Sequence, residues 1–350
     1  MTLSYLIQPI NFKGVFTYVD QNAGYELAQT CFASLYVSQF PACPVVAQDK
    51  ATPEQVTIGA YINDIQSIDL RTHTYAMDAY IWFRWTNPDL NPAETMEFTN
   101  PSDLWGTIVD PSYEEPQTLE SGELYQVVRI QGRFARKMPL YSYPFDRQIL
   151  EIVFEDKANE SHELVYISEG VTINPRLTLP GFNLGQPQIE IVDLPYPTQF
   201  GDLRLSQPSS YSRARVEVPI SRPVLTFALK LLLPVFSVLL CALLMFLLDP
   251  TYVDLRINVG ITSLLAIVVL QMTLNQDVPE IGYLMLIDKI YLCAYAFVVI
   301  GLILVVWTVR LVRQEKHEAA WALQRRSLIT LTLAFVVVVG GLIAQGIMQG

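Results

Sequence analysis

Seven residues between Asp254 and Gln276 combine types and spacing that could do chemistry. Asp254, Asn258, Thr262, Leu265, Val269, Met272 and Gln276 recur at intervals of 4, 4, 3, 4, 3 and 4. At 3.6 residues per turn, that spacing keeps all seven on one face of an α-helix. The face opens with a carboxylate, continues with an amide and a hydroxyl, and then turns apolar. Carboxylates concentrate cations, amides and hydroxyls replace hydration partners, and narrow apolar rings expel water. The stripe rises about 33 Å, enough to cross a hydrocarbon core of about 30 Å. A lipid-facing helix gains nothing from such a gradient, whereas a helix lining a water-filled passage does. The other reading of these residues is a polar seam packed against neighbouring helices.

Such a helix needs companions, and the 350-residue chain supplies them. Residues 224–248, 257–275, 284–308 and 327–348 are four apolar runs of membrane length. Lys230 interrupts the first run near its start, where its stem can carry the ammonium to an interface. Everything before Arg222 reads as water-facing and rich in strands. The expected organisation is therefore an N-terminal extension of unclear structure (1–52), an all-β sandwich (53–222) and a four-helix membrane domain (223–350). The formal net charge is −11, and the whole acidic excess lies before residue 223. Arg310, Arg313, Lys316, Arg325 and Arg326 cluster between the third and fourth runs, a segment that the positive-inside rule places in the cytoplasm. Four spans then put both termini, and the strand domain, on the extracellular or periplasmic side of a cell membrane. Residues 1–30 lack a basic start followed by an apolar run, so the chain reads as mature or truncated.

The remaining reactive residues exclude more than they suggest. Cys241 and Cys293 fall in the apolar runs and read as small core residues. Cys31 and Cys43 lie in the exported part, and spacing leaves a disulfide between them open. His73, His162 and His317 are far apart, and no metal-ligand spacing is present, so neither metal nor cofactor is expected. No nucleophile elbow or phosphate loop supports an enzyme. An acidic exterior argues against nucleic acid and towards cations, though it also serves solubility.

In the water-facing half, a short helix is expected near Tyr25–Tyr36, ended by Pro41 and Pro44. From Gln55 the pattern alternates with period two. In YAMDAYIWFRW, Tyr80, Trp82 and Arg84 point one way and Ile81, Phe83 and Trp85 the other. Further strands are expected at Tyr125–Phe134, Arg147–Phe154, His162–Ile167, Gln188–Val192 and Arg213–Pro219. Turn clusters separate them at the intervals of an immunoglobulin-like sandwich.

Tyr143-Pro144-Phe145-Asp146-Arg147-Gln148 resembles the core signature of the pentameric ligand-gated ion channels, the Cys-loop receptors. The resemblance covers about residues 53–350. It includes Ile65–Leu70, the Ile220-Ser221-Arg222-Pro223 exit into the first span, Pro234, the segment ITSLLAIVV and Pro279. Arg136 and Leu150 stand where animal receptors carry flanking cysteines, and the linker between the last two spans is only about 16 residues. Both departures look like the prokaryotic branch.

The resemblance implies a homopentamer in which the stripe lines the pore. Asp254 would set cation selectivity at the cytoplasmic mouth, and Leu265 and Val269 would form the gate. Arg256 would face away from the ions as a snorkelling anchor. Asp146, Arg222, Asp69 and Pro279 would couple the two domains, with Arg222 held between two carboxylates. Ligand contacts between subunits would involve Tyr80, Trp82, Tyr113, Tyr196, Phe200 and Tyr211. Lys157 occupies a position where amine-binding members carry an aromatic, which disfavours cationic ligands. The implied function is a channel for monovalent cations in a lipid bilayer, opened by pH change or an unknown small ligand. The alternative is a non-conducting membrane sensor with the same layout.

Overall fold

The computed structural model describes residues 52–103, 106–198, 201, 209–276 and 278–349. The helix expected at Tyr25–Tyr36, with Cys31, Cys43 and Phe200, lies outside the described residues.

Alternation decides the layering of the first domain. In β2 (Thr74–Trp85), Tyr75, Met77, Ala79, Ile81, Phe83 and Trp85 are buried, while Tyr80, Trp82 and Arg84 stand on the opposite face. β2 pairs antiparallel with β1 (Glu54–Asp69) and β6 (Leu124–Ala135). β4 (Ile108–Pro111) and β5 (Gln117–Thr118) add to β6, and β8 (Leu164–Ile173) closes the other edge, giving six strands. The second sheet contains β10 (Gln188–Pro195), β11 (Ser210–Ser221), β7 (Arg147–Asp156) and β3 (Met96–Phe98), with β9 (Asn183–Leu184) on β11. A single helical turn, α1 (Pro92–Thr95), leads into β3.

The two inner faces meet in one apolar core. Phe83, Phe98, Phe134, Phe154 and Tyr166 fill its centre in tilted and edge-to-face pairs, with centroids 5.6 to 6.4 Å apart. This is an immunoglobulin-like sandwich. β8 runs six residues beyond the expected strand end, because it pairs parallel with β1 and not in a hairpin. Its register slips between Ile58 and Gly59, where Gly170 takes a φ of 128° that a side chain would resist.

Four helices follow: α2 (Val224–Leu247), α3 (Val253–Leu274), α4 (Leu286–Arg313) and α5 (His317–Gln349). Each is long and apolar enough to span a membrane. The segment expected as a linker of about 16 residues is mostly helix, with only Gln314–Lys316 between α4 and α5. Hydropathy marks where lipid ends, whereas arginine, glutamate and alanine continue a helix into water.

The helical core includes Leu140, Tyr143 and Phe145 from the loop between β6 and β7. Phe145 and Leu286 crowd Gly346 of α5, where an added Cβ would lie 2.3 Å from the Leu286 Cδ2. The sandwich is therefore plugged into the bundle by apolar side chains.

Replacing Phe154 by Ala opens a cavity among three aromatic neighbours, Phe83, Phe98 and Tyr166, and should cost about 3–5 kcal/mol. Urea unfolding of the detergent-solubilised chain, followed by the near-ultraviolet signal of the sandwich, measures it. An unchanged midpoint would remove Phe154 from the core's stabilising set.

Candidate functional site

The geometry of α3 separates two faces cleanly. Arg256, Gly260, Ser263, Ile267 and Leu274 are buried against the bundle. Asp254, Asn258, Thr262, Leu265, Val269, Met272 and Gln276 are all exposed, with Leu265 and Met272 at 63% and Val269 at 54%. The seven-residue stripe is thus uncovered, but only its first six residues lie on α3, because the helix ends at Leu274 and Gln276 follows in the turn. Gly260 permits the close approach of α4, since a Cβ there would meet Leu302 at 2.4 Å. On the flank of the stripe, the Tyr295 hydroxyl donates to the Gln271 side-chain oxygen at 2.7 Å.

Arg256 faces away from the stripe, but it does not snorkel. Its residue is fully buried, and Nε donates to the Met245 carbonyl of α2 at 2.5 Å. Nη1 and Nη2 are buried without a hydrogen-bond partner among the described residues. The α2 carbonyls that point past the helix end give the guanidinium a nearer acceptor than the interface does.

At the junction of the two domains, Arg222 Nε donates to Asp146 Oδ1 at 3.3 Å. Their side chains are 5% and 3% exposed. Gln148 holds the other carboxylate oxygen at 2.7 Å and reaches the Pro139 carbonyl at 2.8 Å. The guanidinium carbon lies 5.2 Å from the Tyr143 ring, 4.6 Å from Phe182 and 4.9 Å from Phe227. Asp69 is not part of this cluster. Its carboxylate accepts from the backbone amides of Arg71 and Thr72, at 2.8 and 3.3 Å, and caps its own turn. A hydrogen bond from the Thr72 side chain, with those amides, holds the Asp69 carboxyl below its usual range. Aromatic faces take the place expected for a second carboxylate.

The β6–β7 loop also grips the turn between α3 and α4. The rings of Tyr141 and Tyr283 stack at 3.9 Å, and the Leu140 amide donates to the Tyr283 hydroxyl at 2.9 Å. Pro279 is buried in that turn and lines a cavity of about 570 Å³ with Tyr283, Asn275 and Asp288. The turn following α3 is thereby tied to the loop that carries Asp146.

The aromatic residues divide between two faces. On the outer face of the six-stranded sheet, the Trp82 indole donates to Glu169 at 2.7 Å, Arg84 pairs with the same carboxylate, and Arg129 lies 5.5 Å from the Tyr80 ring. On the five-stranded sheet, the Tyr196 hydroxyl donates to Glu155 at 2.7 Å, and Arg213 bonds both groups. Tyr211 meets Tyr196 edge-to-face at 5.8 Å. Burial, with the Glu155 hydrogen bond, pushes the Tyr196 phenol up. Tyr113 stands apart against Tyr125 at 6.3 Å. Lys157 is exposed in the β7–β8 loop, with its amide on the Thr95 carbonyl at 3.0 Å.

No family model matches the chain. Curated relatives do, at low identity. The chain is 22% identical over 267 residues to the serotonin-gated chloride channel mod-1 of Caenorhabditis elegans, covering 70% of this chain and 53% of that protein. It is 22% identical over 276 residues to the acetylcholine-gated chloride channel subunit acc-2 of the same species, covering 71% and 59%. It is 25% identical over 171 residues to a glutamate-gated chloride channel of Drosophila melanogaster, covering 48% and 35%. The chain spans about half the length of these relatives. They are ligand-gated channels, not enzymes.

Several participants escaped the sequence. Phe182 and Phe227 flank Arg222 from positions with no shared motif, and the Glu155–Arg213 and Trp82–Glu169 pairs arise only from strand register. Tyr143 and Phe145 were visible as motif letters but not as a plug.

Asp146→Asn leaves the Arg222 guanidinium buried without a counter-charge and should cost about 3–5 kcal/mol. The double variant Asp146→Leu/Arg222→Met removes both buried charges and should be milder. Thermal melting of the full-length protein compares them, and equal losses would refute the buried-charge argument.

Proposed function

We propose that the chain is one subunit of a homopentameric ligand-gated ion channel that conducts monovalent cations. The observation that carries this reading is the stripe on α3, a membrane-length face graded from carboxylate to apolar and left uncovered by its own protomer. Five copies about a cyclic axis would close that face around a passage. Asp254 would then form a carboxylate ring at the cytoplasmic mouth, and Leu265 and Val269 the apolar gate. The low-identity likeness to ligand-gated channels supports the same function. The basic cluster beside α4 and α5 supports an orientation with the sandwich outside the cell or in the periplasm. The departures at Arg136 and Leu150 favour a prokaryotic member, although the relatives found are animal proteins.

The trigger is a pH change or a small ligand at the subunit interface. Tyr196 and Tyr211 on one face, and Tyr80 and Trp82 on another, would meet across neighbouring subunits, with Tyr113 at the margin. Arg213 and Lys157 favour a neutral or anionic ligand. Movement there would pass through the Asp146–Arg222 joint and the turn at Pro279 to α3.

A second reading has a specific observation behind it. The relatives are named as chloride channels, so selectivity for anions is the competing assignment. Reversal potentials under a salt gradient across reconstituted bilayers distinguish the two. Wild type should reverse near the cation equilibrium potential, and Asp254→Ala should move reversal towards the anion potential. Cation permeability untouched by the substitution would remove Asp254 from the selectivity ring.

Leu265→Ser should ease hydration of the gate and lower the half-activating stimulus about tenfold, which corresponds to about 1.4 kcal/mol of bias towards opening. An unchanged activation curve would displace the gate from Leu265.

A further inference from the structure

Two carboxylates confront each other across the strands that end at the domain joint. In the register of β7 and β11, Glu151 stands directly opposite Glu217. Both lie on the outer face, since Leu150, Ile152, Val216 and Val218 fill the core face and are fully buried. Neither is well hydrated: the Glu151 side chain is 16% exposed and Glu217 is 6% exposed. Like charges directly opposite on neighbouring strands repel. Where water is scarce, a single proton taken by the pair relieves the conflict.

The surroundings leave that conflict unresolved. On β7, Ile149 and Val153 flank Glu151, and Glu155 is already engaged by Arg213. On β11, Pro219 and Arg215 flank Glu217, and Arg215 pairs with Glu190 of β10 at 3.1 Å. Gln188 of β10 donates to Glu217 at 2.9 Å, a neutral partner. Beyond the end of β6, Arg136 lies 3.5 Å from Glu151. From β2, the Tyr75 hydroxyl bonds the backbone of Glu151 and not its carboxylate, and the Asn100 side chain reaches Glu151 only at its carbonyl. Glu151, Glu217 and Glu190 thus share Arg136 and Arg215, one cation short. Burial, opposed by the two arginines and reinforced by Glu217 and Glu190, raises the Glu151 carboxyl above its usual range.

Position makes this pair consequential. β7 begins one residue after Asp146, and β11 ends one residue before Arg222. The same ladder continues through Ile220 opposite Gln148 to Ser221 opposite Arg147. Four residue pairs, about 17 Å from end to end, separate the carboxylates from the buried guanidinium joint.

We propose that Glu151 and Glu217 form a proton-binding site whose occupancy biases the Asp146–Arg222 joint. Its effect on conduction rests on the channel reading above, whereas the proton site itself does not.

Two measurements on the full-length protein test this, each on wild type, Glu151→Gln and Glu217→Gln. The first is melting temperature in detergent from about pH 4 to pH 8. A carboxyl raised in the folded state stabilises the fold below its unfolded pKa, and that stability is lost as pH rises through the folded value. Wild type should therefore lose melting temperature over that window, and the Gln variants should flatten the loss. The second is the pH dependence of current in proteoliposomes. Glu151→Gln should shift the half-activating pH by about one unit, tenfold in proton concentration, in the direction that favours the state wild type adopts at low pH. Melting profiles that superimpose on wild type for both variants would overturn the site. Flattened melting with unmoved current would overturn its link to the joint. Flattened melting with no wild-type current under any pH or ligand would uphold the proton site and overturn the channel. Should Glu151→Gln fail to fold, Glu217→Gln makes the same comparisons.

Discussion

A guanidinium taken out of water requires a counter-charge and covered faces, and much of this structure is arranged to provide both for Arg222. The carboxylate comes from Asp146, and the rings come from Tyr143, Phe182 and Phe227. These residues belong to the loop before β7, the segment entering β9 and the first turn of α2. Arg222 itself leaves β11. Three separate stretches of chain are thus held to one geometry, because moving any of them uncovers a buried charge. A guanidinium suits this role better than an ammonium, since its flat faces stack while its edge pairs.

Around that charge the two domains share apolar contacts as well. Leu140, Tyr143 and Phe145 belong to the core of the helical bundle, although they arrive from the sandwich. Tyr283 returns the contact from the turn after α3, through ring stacking and a hydrogen bond to the Leu140 amide. The junction is therefore neither a flexible linker nor a purely polar surface. Strain applied to the strands has a stiff route to the helix that bears the stripe.

What could be read from residue order follows from how local each signal is. The alternation of β2 and the apolar runs of the helices are local, so both elements emerge from the sequence. The far half of β8 does not, because Ser168 and Gly170, on either side of the bulged Glu169, pair in parallel with a strand more than a hundred residues earlier. Helix ends beyond the lipid boundary were likewise invisible to hydropathy. Asp69 illustrates a subtler loss: a carboxylate that caps its own turn and one that pairs with a distant arginine look the same in one dimension. The stripe was legible because one helix, α3, carries its first six residues, from Asp254 to Met272. The aromatic groups were legible only as a list, since strand register assigns Tyr80 and Tyr196 to different sheets.

Arg256 imposes a restriction of a different kind. Its Nε is fastened to the end of α2, and its remaining nitrogens are enclosed within the bundle. Turning α3 about its own axis by one residue, about 100°, would drag that charge from its acceptor and out of its enclosure. The helix is keyed like a shaft in a slot. Leaning or travelling together with α2 would keep that bond, whereas rolling would break it, so the face carrying Leu265 and Val269 is fixed in azimuth by a residue on the opposite side of the helix.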